Sequence, residues 1–192
     1  MSAAVRKRRR RLLIPLVLVV AVIAIVQTDW LGRTMYPIYY KDEIRSTASR
    51  FQLDPLLVAA IIRVESNYRA EAVSPKGALG IMQVMPDTAN WILEKEAEFG
   101  ALTVQEIGRN PEAGMQVGGW YIREMLRQFD GNLAASLAAY NAGPGKVRQW
   151  LNEGVWDGSQ QSINDIPYGE TRHYVQRIFY YYNKYQQLYD EL

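Results

Sequence analysis

The sequence of 192 residues contains no cysteine and only one histidine, His173. Disulfides, cysteine nucleophiles and thiolate metal sites are therefore excluded within this sequence, as is any site that needs two imidazoles. No Ser-x-x-Lys pair is present for acylation of the penicillin-binding type. These absences remove zinc peptidases and Cys/His amidopeptidases, they imply neither a metal nor a cofactor, and they leave His173 as a surface or packing residue.

Positive charge is concentrated at one end of the chain. Six of the 22 Lys and Arg residues occupy positions 6–11, so 16 basic and 20 acidic residues remain over positions 12–192. The formal net charge of +2 for the whole chain therefore becomes −4 beyond the basic tail. Nucleic-acid binders spread Lys and Arg over a folded face. The charge pattern thus predicts no nucleic-acid partner.

An uninterrupted apolar run follows the basic tail. Residues 12–26 carry no polar side chain, and the first charge after Arg11 is Asp29. Cations directly before an apolar run are typical of an N-terminal membrane signal rather than of a buried globular helix. The run fits a cleavable signal peptide, whereas residues 12–28 form about 26 Å of helix, which is short for a span. Because no Ala-x-Ala cleavage site follows and Trp30 suits the outer interface, we favour an uncleaved anchor.

This interpretation divides the chain into a basic cytoplasmic tail at 1–11, a transmembrane signal anchor at 12–28, a short linker at 29–40 and one domain at 41–192. The protein is then expected in the cell membrane as a single-pass protein, with its N-terminus in the cytoplasm and its domain on the extracytoplasmic side. A domain of roughly 150 residues has the usual size for one hydrophobic core.

The folded part is predicted to be all-α, with at most a small β element, because regular alternation of apolar and polar residues is scarce. Asp54-Pro55 and Asn110-Pro111 each place an N-cap side chain before a proline that suits the first helical position. Both pairs should therefore open helices. Three later helices are expected, at Pro111–Phe129, Leu133–Tyr140 and Glu170–Leu188. The second of them should end at the breaker cluster 141–145.

The helix after Pro55 carries a glutamate, Glu65, at the end of an apolar stripe. The stripe is spaced at i, i+3 and i+4 and consists of Val58, Ile61 and Ile62. Burial raises the pKa of a carboxylic acid, which can then stay protonated near neutral pH and act as a general acid. The spacing alone also fits a glutamate at a fraying helix end that pairs with Arg63 or Arg69.

Three motifs occur in order from Glu65 onward, and the first of them has two parts. E-S-N-Y at 65–68 precedes A-V-S-P-K-G-A-L-G-I-M-Q-V-M-P at 72–86, and A-Y-N-A-G-P-G and I-P-Y-G-E-T-R then begin at Ala139 and Ile166, the latter followed by Tyr174-Val175. This series resembles the signature of the soluble lytic transglycosylase catalytic domain, and the resemblance runs from about Pro55 to the C-terminus. The resemblance implies a lysozyme-like, mostly helical fold related to the goose-type lysozymes.

The resemblance also implies a set of site residues. Glu65 would be catalytic, and the residues that hold or orient the substrate would be Ser74, Gln83, Met85, Tyr140, Asn141 and Glu170. An amide and a thioether suit one wall of a sugar groove, although a core methionine beside a solvated glutamine fits the same residues. A tyrosine offers a ring for stacking and a hydroxyl for hydrogen bonding, but most of the 13 tyrosines must be packing or surface residues.

The function implied by the resemblance is cleavage of peptidoglycan glycan strands. Glu65 would protonate the β-1,4 bond between N-acetylmuramic acid and N-acetylglucosamine, and a 1,6-anhydromuramyl end would form. Two alternatives stay open: hydrolysis of the same bond, as in the goose-type lysozymes, and a membrane-tethered binding module without turnover. Glu170 is a candidate base for the hydrolysis, whereas the resemblance makes it a residue that positions Tyr140 or the substrate. The membrane would be a partner through the N-terminal helix, and protein partners are left open by the sequence.

Overall fold

The computed structural model describes residues 29–190 and residue 192, and its chain forms two units, Met1–Ile38 and Tyr39–Leu192. The described part of the first unit contains the short helix α1, Asp29–Met35, inside the segment expected as a linker. The predicted basic tail and signal anchor at 1–28 lie outside the described residues. Within the part that is described, no helix is both long and apolar enough to cross a bilayer.

The second unit is built from helices, as the sequence predicts. They are α2 (Lys41–Phe51), α3 (Pro55–Glu65), α4 (Pro86–Lys95), α5 (Val104–Ile107), α6 (Pro111–Gln128), α7 (Leu133–Ala142), α8 (Pro144–Asn152) and α9 (Gly169–Leu188). Two 3₁₀ turns, Ala97–Phe99 and Ile163–Asp165, lie between them. The described residues contain no β-strand, only two isolated bridges, Val73 to Leu79 and Leu79 to Val84.

Helix α3 is the centre of the core, and it begins as predicted. The Asp54 carboxylate accepts a hydrogen bond from the Leu56 backbone N–H at 2.7 Å, and Pro55 occupies the first helical position. Every residue from 56 to 62 is buried, so the helix is enclosed on all sides, which an almost continuously apolar sequence requires. Helices α2 and α9 pack against it.

Helix α9 is joined to both ends of α3 by tyrosine hydroxyls. Tyr182 donates to Asp54 Oδ2 at 2.6 Å, and Tyr174 donates to Glu65 Oε1 at 2.6 Å. The later tyrosine bonds to the start of α3 and the earlier one to its end, so the two helices run antiparallel. The buried face of α9 therefore fixes where the last residue of α3, Glu65, is presented.

The other predicted helices are confirmed with small shifts of their ends. Helix α6 begins after Asn110, whose side chain accepts hydrogen bonds from the next turn, and it ends one residue before the predicted Phe129. Helix α9 starts one residue earlier than predicted, at Gly169. Helix α7 runs two residues beyond the predicted Tyr140 and ends at Ala142, inside the expected breaker cluster.

Helix α8 was absent from the sequence-based expectation, which treated residues 141–145 only as the end of a helix. Gly143 has φ +86°, a conformation that turns the chain between α7 and α8 and that suits glycine. Pro144 then takes the first position of α8, where its missing N–H costs nothing. One short segment therefore ends one helix and begins the next. Helix α4 also begins with a proline, Pro86.

Candidate active site

A cleft of about 350 Å³ opens beside the end of α3. Its lining consists of Glu65, Ser74, Pro75, Lys76, Ala78, Gln83, Met85, Tyr140, Asn141 and Glu170. All seven residues that the sequence analysis named for the site therefore line one cleft, although they come from the end of α3, the following loop, α7 and the start of α9.

The loop between α3 and α4 forms one wall of the cleft. Backbone hydrogen bonds between Leu79 and Val84, in both directions at 2.9 and 3.0 Å, close its central turn. Gly80 has φ +73°, and a Cβ at this position would collide with the carbonyl oxygen of Ile107. Glycine is required here because the loop packs backbone against backbone on α5. The loop is therefore held in a fixed shape against the rest of the domain.

Glu65 is partly accessible from the cleft, while its carboxylate is surrounded by protein. The Tyr174 hydroxyl donates to it, and no lysine or arginine nitrogen in residues 29–190 lies within 4.0 Å of it. The alternative of a surface ion pair is thus not observed. The Arg63 guanidinium lies over the Tyr181 ring at 5.4 Å, and Arg69 Nε donates to a backbone carbonyl.

Burial raises the pKa of Glu65 from its ordinary 4.5 to about 8, because the charged form loses hydration. The hydrogen bond from Tyr174 and the positive charge of Arg177 act in the opposite direction and do not outweigh the burial. The direction and the cause agree with the expectation from the apolar stripe. At neutral pH, Glu65 is mostly a neutral acid that can give up a proton.

Gln83 contributes to the cleft in a different way from the one expected. Its side-chain nitrogen Nε2 donates to the carbonyl oxygens of Ala72 at 3.0 Å and Gly80 at 2.8 Å. Carbonyl oxygens only accept, so the amide nitrogen must face the loop. The sequence analysis offered the whole amide to a sugar. In the structure, both Nε2 hydrogen bonds go to the loop, and Oε1 accepts from none of the described residues.

Tyr140 also supports the loop rather than presenting a free hydroxyl. The buried ring lies 5.1 Å from the Tyr121 ring, and its hydroxyl donates to the carbonyl oxygen of Met82 at 2.9 Å. Burial raises the pKa of Tyr140 well above its ordinary value, so it stays neutral. Ser74 likewise uses its hydroxyl within the loop, where Oγ accepts from the Ala78 N–H at 2.9 Å.

Asn141 and Met85 line the cleft with groups that remain available to a ligand. Thr171 Oγ1 donates to Asn141 Oδ1 at 2.8 Å, which orients the amide and leaves its nitrogen as a donor. Met85 is exposed at the residue before α4. A fixed amide donor and an exposed thioether together suit the polar edge and the apolar face of a sugar ring.

Glu170 is the second carboxylate that lines the cleft. It pairs with Lys76 at 2.6 Å, and both side chains are largely exposed, at 68% and 72%. Tyr140 bonds to Met82 and not to Glu170, so the structure does not show the positioning contact that the resemblance implied. The ion pair instead links the loop to the start of α9 across the cleft.

Sequence reasoning missed the role of Tyr174. This residue was quoted as part of a motif without a function, yet its hydroxyl is the group that bonds to Glu65. The available signal was its place on the buried face of α9, with Ile178 and Tyr185 at helical spacing. His173 is the neighbour of Tyr174 and is exposed, consistent with a surface residue.

The chain is similar in sequence to known lytic transglycosylases. The family model described as the Transglycosylase SLT domain matches residues 42–163. Over 147 residues, or 76% of this chain, the sequence is 34% identical to the soluble lytic murein transglycosylase of Escherichia coli K12, of which 23% is covered.

The fold is similar to two solved structures. The 70 kDa soluble lytic transglycosylase of Escherichia coli matches with a TM-score of 0.76 and 30% identity, over 83% of this chain and 26% of that one. The lytic transglycosylase Slt of Pseudomonas aeruginosa, solved as an inactive mutant with glutamine in place of a glutamate, matches with a TM-score of 0.71 and 33% identity over the same shares. The chain thus spans about a quarter of the length of these relatives.

Proposed function

The chain belongs to the Transglycosylase SLT domain family, and on that premise we propose that it is a peptidoglycan lytic transglycosylase. Its substrate would be the β-1,4 bond between N-acetylmuramic acid and N-acetylglucosamine in the glycan strand. The observation that carries the proposal is Glu65, a carboxylic acid with a pKa of about 8 inside a cleft. An acid of this kind, without a lysine or arginine nitrogen within 4.0 Å among the described residues, is suited to proton donation at neutral pH.

In the first step, the Glu65 carboxylic acid gives its proton to the glycosidic oxygen. The bond between that oxygen and C1 of the muramyl sugar breaks, and the leaving sugar departs with a hydroxyl group. Positive charge then develops at C1, and the 2-acetamide oxygen of the same sugar stabilises it. This substrate assistance replaces the second carboxylate that most glycosidases use.

In the second step, the ionised Glu65 acts as the base. It removes the proton from the C6 hydroxyl of the muramyl sugar, and O6 forms a bond to C1 and closes the 1,6-anhydro ring. No water is consumed, and Glu65 is protonated again for the next cycle. The attacking O6 and the C1 that it attacks belong to one sugar, so proximity and orientation favour the ring closure. The Tyr174 hydroxyl would stabilise the carboxylate between the two steps.

The remaining cleft residues would hold the sugar in place. Asn141 would donate from its oriented amide, and the free Oε1 of Gln83 would accept from a hydroxyl or an acetamide N–H. Met85 would contact the apolar ring face. Tyr140 and Ser74 would act indirectly, because their hydroxyls support the loop that carries Gln83.

Hydrolysis of the same bond is the second candidate function. It requires a base that activates water, and Glu170 is the other carboxylate of the cleft. Its pairing with Lys76 and its exposure favour the lyase reaction, because Lys76 already holds one oxygen of the carboxylate that would have to bind the attacking water. A binding module without turnover is the third candidate, and the perturbed acid at Glu65 argues against it.

We also propose that residues 1–11 form a cytoplasmic tail, that residues 12–28 anchor the protein in the membrane, and that the domain at 41–192 lies on the wall side. The basic tail before the apolar run supports this arrangement. External protease should digest the domain in wall-stripped cells and spare the tail. A mature N-terminus near Gln27 would contradict the anchor.

The test of the reaction is mass spectrometry of the products that the full chain releases from purified cell wall. We expect muropeptides with 1,6-anhydro-N-acetylmuramic acid, 18 mass units lighter than the hydrolysed form because no water is added, which is about the mass of one water. Reducing N-acetylmuramic acid ends would select the hydrolase. Bound glycan without any released fragment would select the binding module.

A further inference from the structure

Helix α1, Asp29–Met35, exposes an unusual number of large apolar side chains. Trp30 is 66% exposed, Leu31 43% and Met35 62%. Among the residues that the structure describes, ten large apolar side chains are exposed, and three of the ten lie in this helix of seven residues. Single exposed apolar side chains are ordinary on a protein surface, whereas a concentration of them marks a surface that binds something.

The three side chains form one face of the helix. At about 3.6 residues per turn, Trp30, Leu31 and Met35 fall within one arc of the helix surface. Arg33, which is exposed, lies on the opposite side of the helix from Leu31. Helix α1 is therefore amphipathic, with an apolar face and a basic side chain away from it.

One polar residue, Thr34, lies within the same arc. Its Oγ1 donates to the backbone carbonyl oxygen of Trp30 at 2.8 Å. Because this hydroxyl is already bonded inside the helix, it can leave water without becoming an unpaired donor. The whole apolar face can therefore enter a medium that offers no hydrogen bonds.

The place of α1 in the chain indicates that lipid is this medium. Only Gln27 and Thr28 separate the apolar run at 12–26 from the first residue of α1. If residues 12–28 anchor the protein as proposed, α1 begins at the outer surface of the bilayer. Tryptophan is enriched at that surface, and a long arginine side chain can extend from there to the headgroups.

A second copy of the chain fits this face less well. A stable protein interface buries about 800 Å² on each partner. A large side chain such as tryptophan has at most about 250 Å² of surface, so three partly exposed side chains offer less than such an interface needs. A bilayer has no such size requirement, because lipid already surrounds the segment that precedes the helix.

We propose that α1 is an interfacial helix, which places Trp30, Leu31 and Met35 among the lipids of the outer leaflet and keeps Arg33 at the headgroups. The inference rests on the proposed membrane anchor and not on the proposed reaction. The linker that stays free is then residues 36–40 rather than the predicted 29–40, and it spans at most about 18 Å. This short linker limits the catalytic domain to wall strands near the membrane.

The test uses the full chain, reconstituted in phosphatidylcholine vesicles. Because the sequence contains no cysteine, one cysteine introduced at each position from 30 to 35 in turn carries a single fluorescent label. Two quenchers are compared: iodide, which stays in water, and phosphatidylcholine with brominated acyl chains, which stays in the bilayer. Flotation of the vesicles reports separately whether the chain is anchored.

We expect the quenching to follow the helical period. Brominated lipid should quench the labels of Leu31→Cys and Met35→Cys at least about threefold more strongly than that of Arg33→Cys, because an interfacial helix buries its apolar face by about 5–10 Å. Iodide should give the reverse order. Gln160→Cys, at an exposed residue of the catalytic domain, is the control and should respond to iodide alone.

Two glutamate substitutions, each added to Met35→Cys, separate the apolar face from a general effect of charge. Leu31→Glu places a carboxylate on the apolar face, so quenching of the Met35 label by brominated lipid should fall at least about twofold. Arg33→Glu places the same residue on the opposite side of the helix and should leave the quenching unchanged. Circular dichroism of each variant monitors its fold.

Three quenching results would overturn the inference and leave the anchor intact. They are iodide reaching every label, lipid quenching every label alike, and neither quencher reaching the labels at Leu31 and Met35, in which case protein covers the face. Equal effects of the two glutamate substitutions would overturn it as well. A chain that does not float with the vesicles removes the anchor and the inference together. Wall digestion by the unmodified chain tests the proposed reaction independently.

Discussion

Two glutamates of the same domain, Glu65 and Glu124, are both shielded from water, but their pKa values differ. Burial raises the pKa of Glu65 to about 8, and its hydrogen-bond partner is the neutral hydroxyl of Tyr174. The pKa of Glu124 falls to about 2, mainly because Arg127 donates to both carboxylate oxygens, at 2.7 and 2.9 Å. The two pKa values thus move in opposite directions from the same ordinary value.

The cover over the two carboxylates is also different. Only 6% of the Glu124 side chain is exposed, but the group lies near the protein surface under the long side chains of its own partners. Glu65 remains accessible from the cleft, yet the atoms around its carboxylate belong to the domain core. Charged partners that donate to the carboxylate compensate its burial, whereas one neutral hydroxyl does not outweigh it.

The comparison shows that the partners of a carboxylate, rather than its exposure, decide whether it is held charged or held protonated. Glu124 also accepts from Gln128 Nε2 at 2.9 Å, and Lys95 Nζ lies 4.0 Å away. Each of these contacts stabilises the charged form. A carboxylate meant for proton transfer needs the reverse, an environment in which the proton is retained at neutral pH.

The largest expected effect is on turnover. Glu65→Gln keeps the size of the side chain and can still accept from Tyr174, but it carries no transferable proton, so the rate of wall digestion should fall by about a thousandfold or more. Glu124→Gln, the matched change in the other glutamate, should keep most of the activity. Retention of more than about a tenth of the activity in Glu65→Gln would assign the proton transfer to another group.

The second effect is on the free energy of unfolding. Between pH 4.5 and about 8, folded Glu65 binds more protons than the unfolded chain does, so the folded state loses stability as pH rises. Glu65→Gln removes this loss. It should stabilise the protein by about 3 kcal/mol at pH 7 and by nothing below about pH 4.5.

Glu124→Gln should change stability with the opposite sign and over a different pH range. Its stabilising contribution is complete above about pH 4.5 and is lost as pH falls towards 2. Because 70% of the Arg127 side chain is exposed, solvent reduces the contribution, and we expect a loss of about 1 kcal/mol at pH 7. Urea unfolding of both variants at about pH 3, 5 and 8 measures how the free energy of unfolding of each variant, relative to the unmodified chain, changes with pH. The same pH dependence in both variants would contradict the comparison.

The third effect is on the pH profile. Tyr174→Phe removes the donor that favours ionised Glu65, so the alkaline limb of kcat/KM should move up by about half to one pH unit. Tyr182→Phe breaks an equivalent tyrosine–carboxylate bond on the same helix, at Asp54, and should leave the profile unchanged. An alkaline limb that stays in place in Tyr174→Phe would show that this hydroxyl does not influence Glu65.

The smallest effect concerns the exposed carboxylate of the cleft. Glu170→Gln breaks a solvated ion pair with Lys76, so unfolding stability should change by less than about 0.5 kcal/mol. Wall digestion should slow by less than about tenfold if the residue only shapes the cleft. A loss as large as that in Glu65→Gln, together with reducing ends in the products, would make Glu170 the base of a hydrolase.

The sequence predicted a helix correctly where all the residues that determine its start and its burial lie in one short segment. The Asp54-Pro55 pair and the apolar residues after it specify both the start of α3 and its burial. The end of α7 and the start of α8 share one short segment, so the same proline and glycine residues were assigned a single role. A breaker and a helix start are chemically alike at such a junction.

The site could be predicted as a set of residues but not as a set of hydrogen bonds. The motifs named seven residues that line one cleft, yet the partner of Glu65 lies 109 positions later in the chain. The direction of the Gln83 amide likewise depends on carbonyl groups of the folded loop. Such pairings are set by how helices and loops pack, and residue types alone do not encode them.

The two tyrosine bonds between α9 and the ends of α3 also have a dynamic consequence. Helices normally fray from their termini, where backbone groups lack partners. Here Tyr182 holds the capping residue and Tyr174 holds the last residue, so neither end of α3 can unwind without also detaching from α9. Amide hydrogens of α3 should therefore exchange with solvent only when the domain opens as a whole, which keeps the proposed proton donor, Glu65, in one position throughout the lifetime of the folded state.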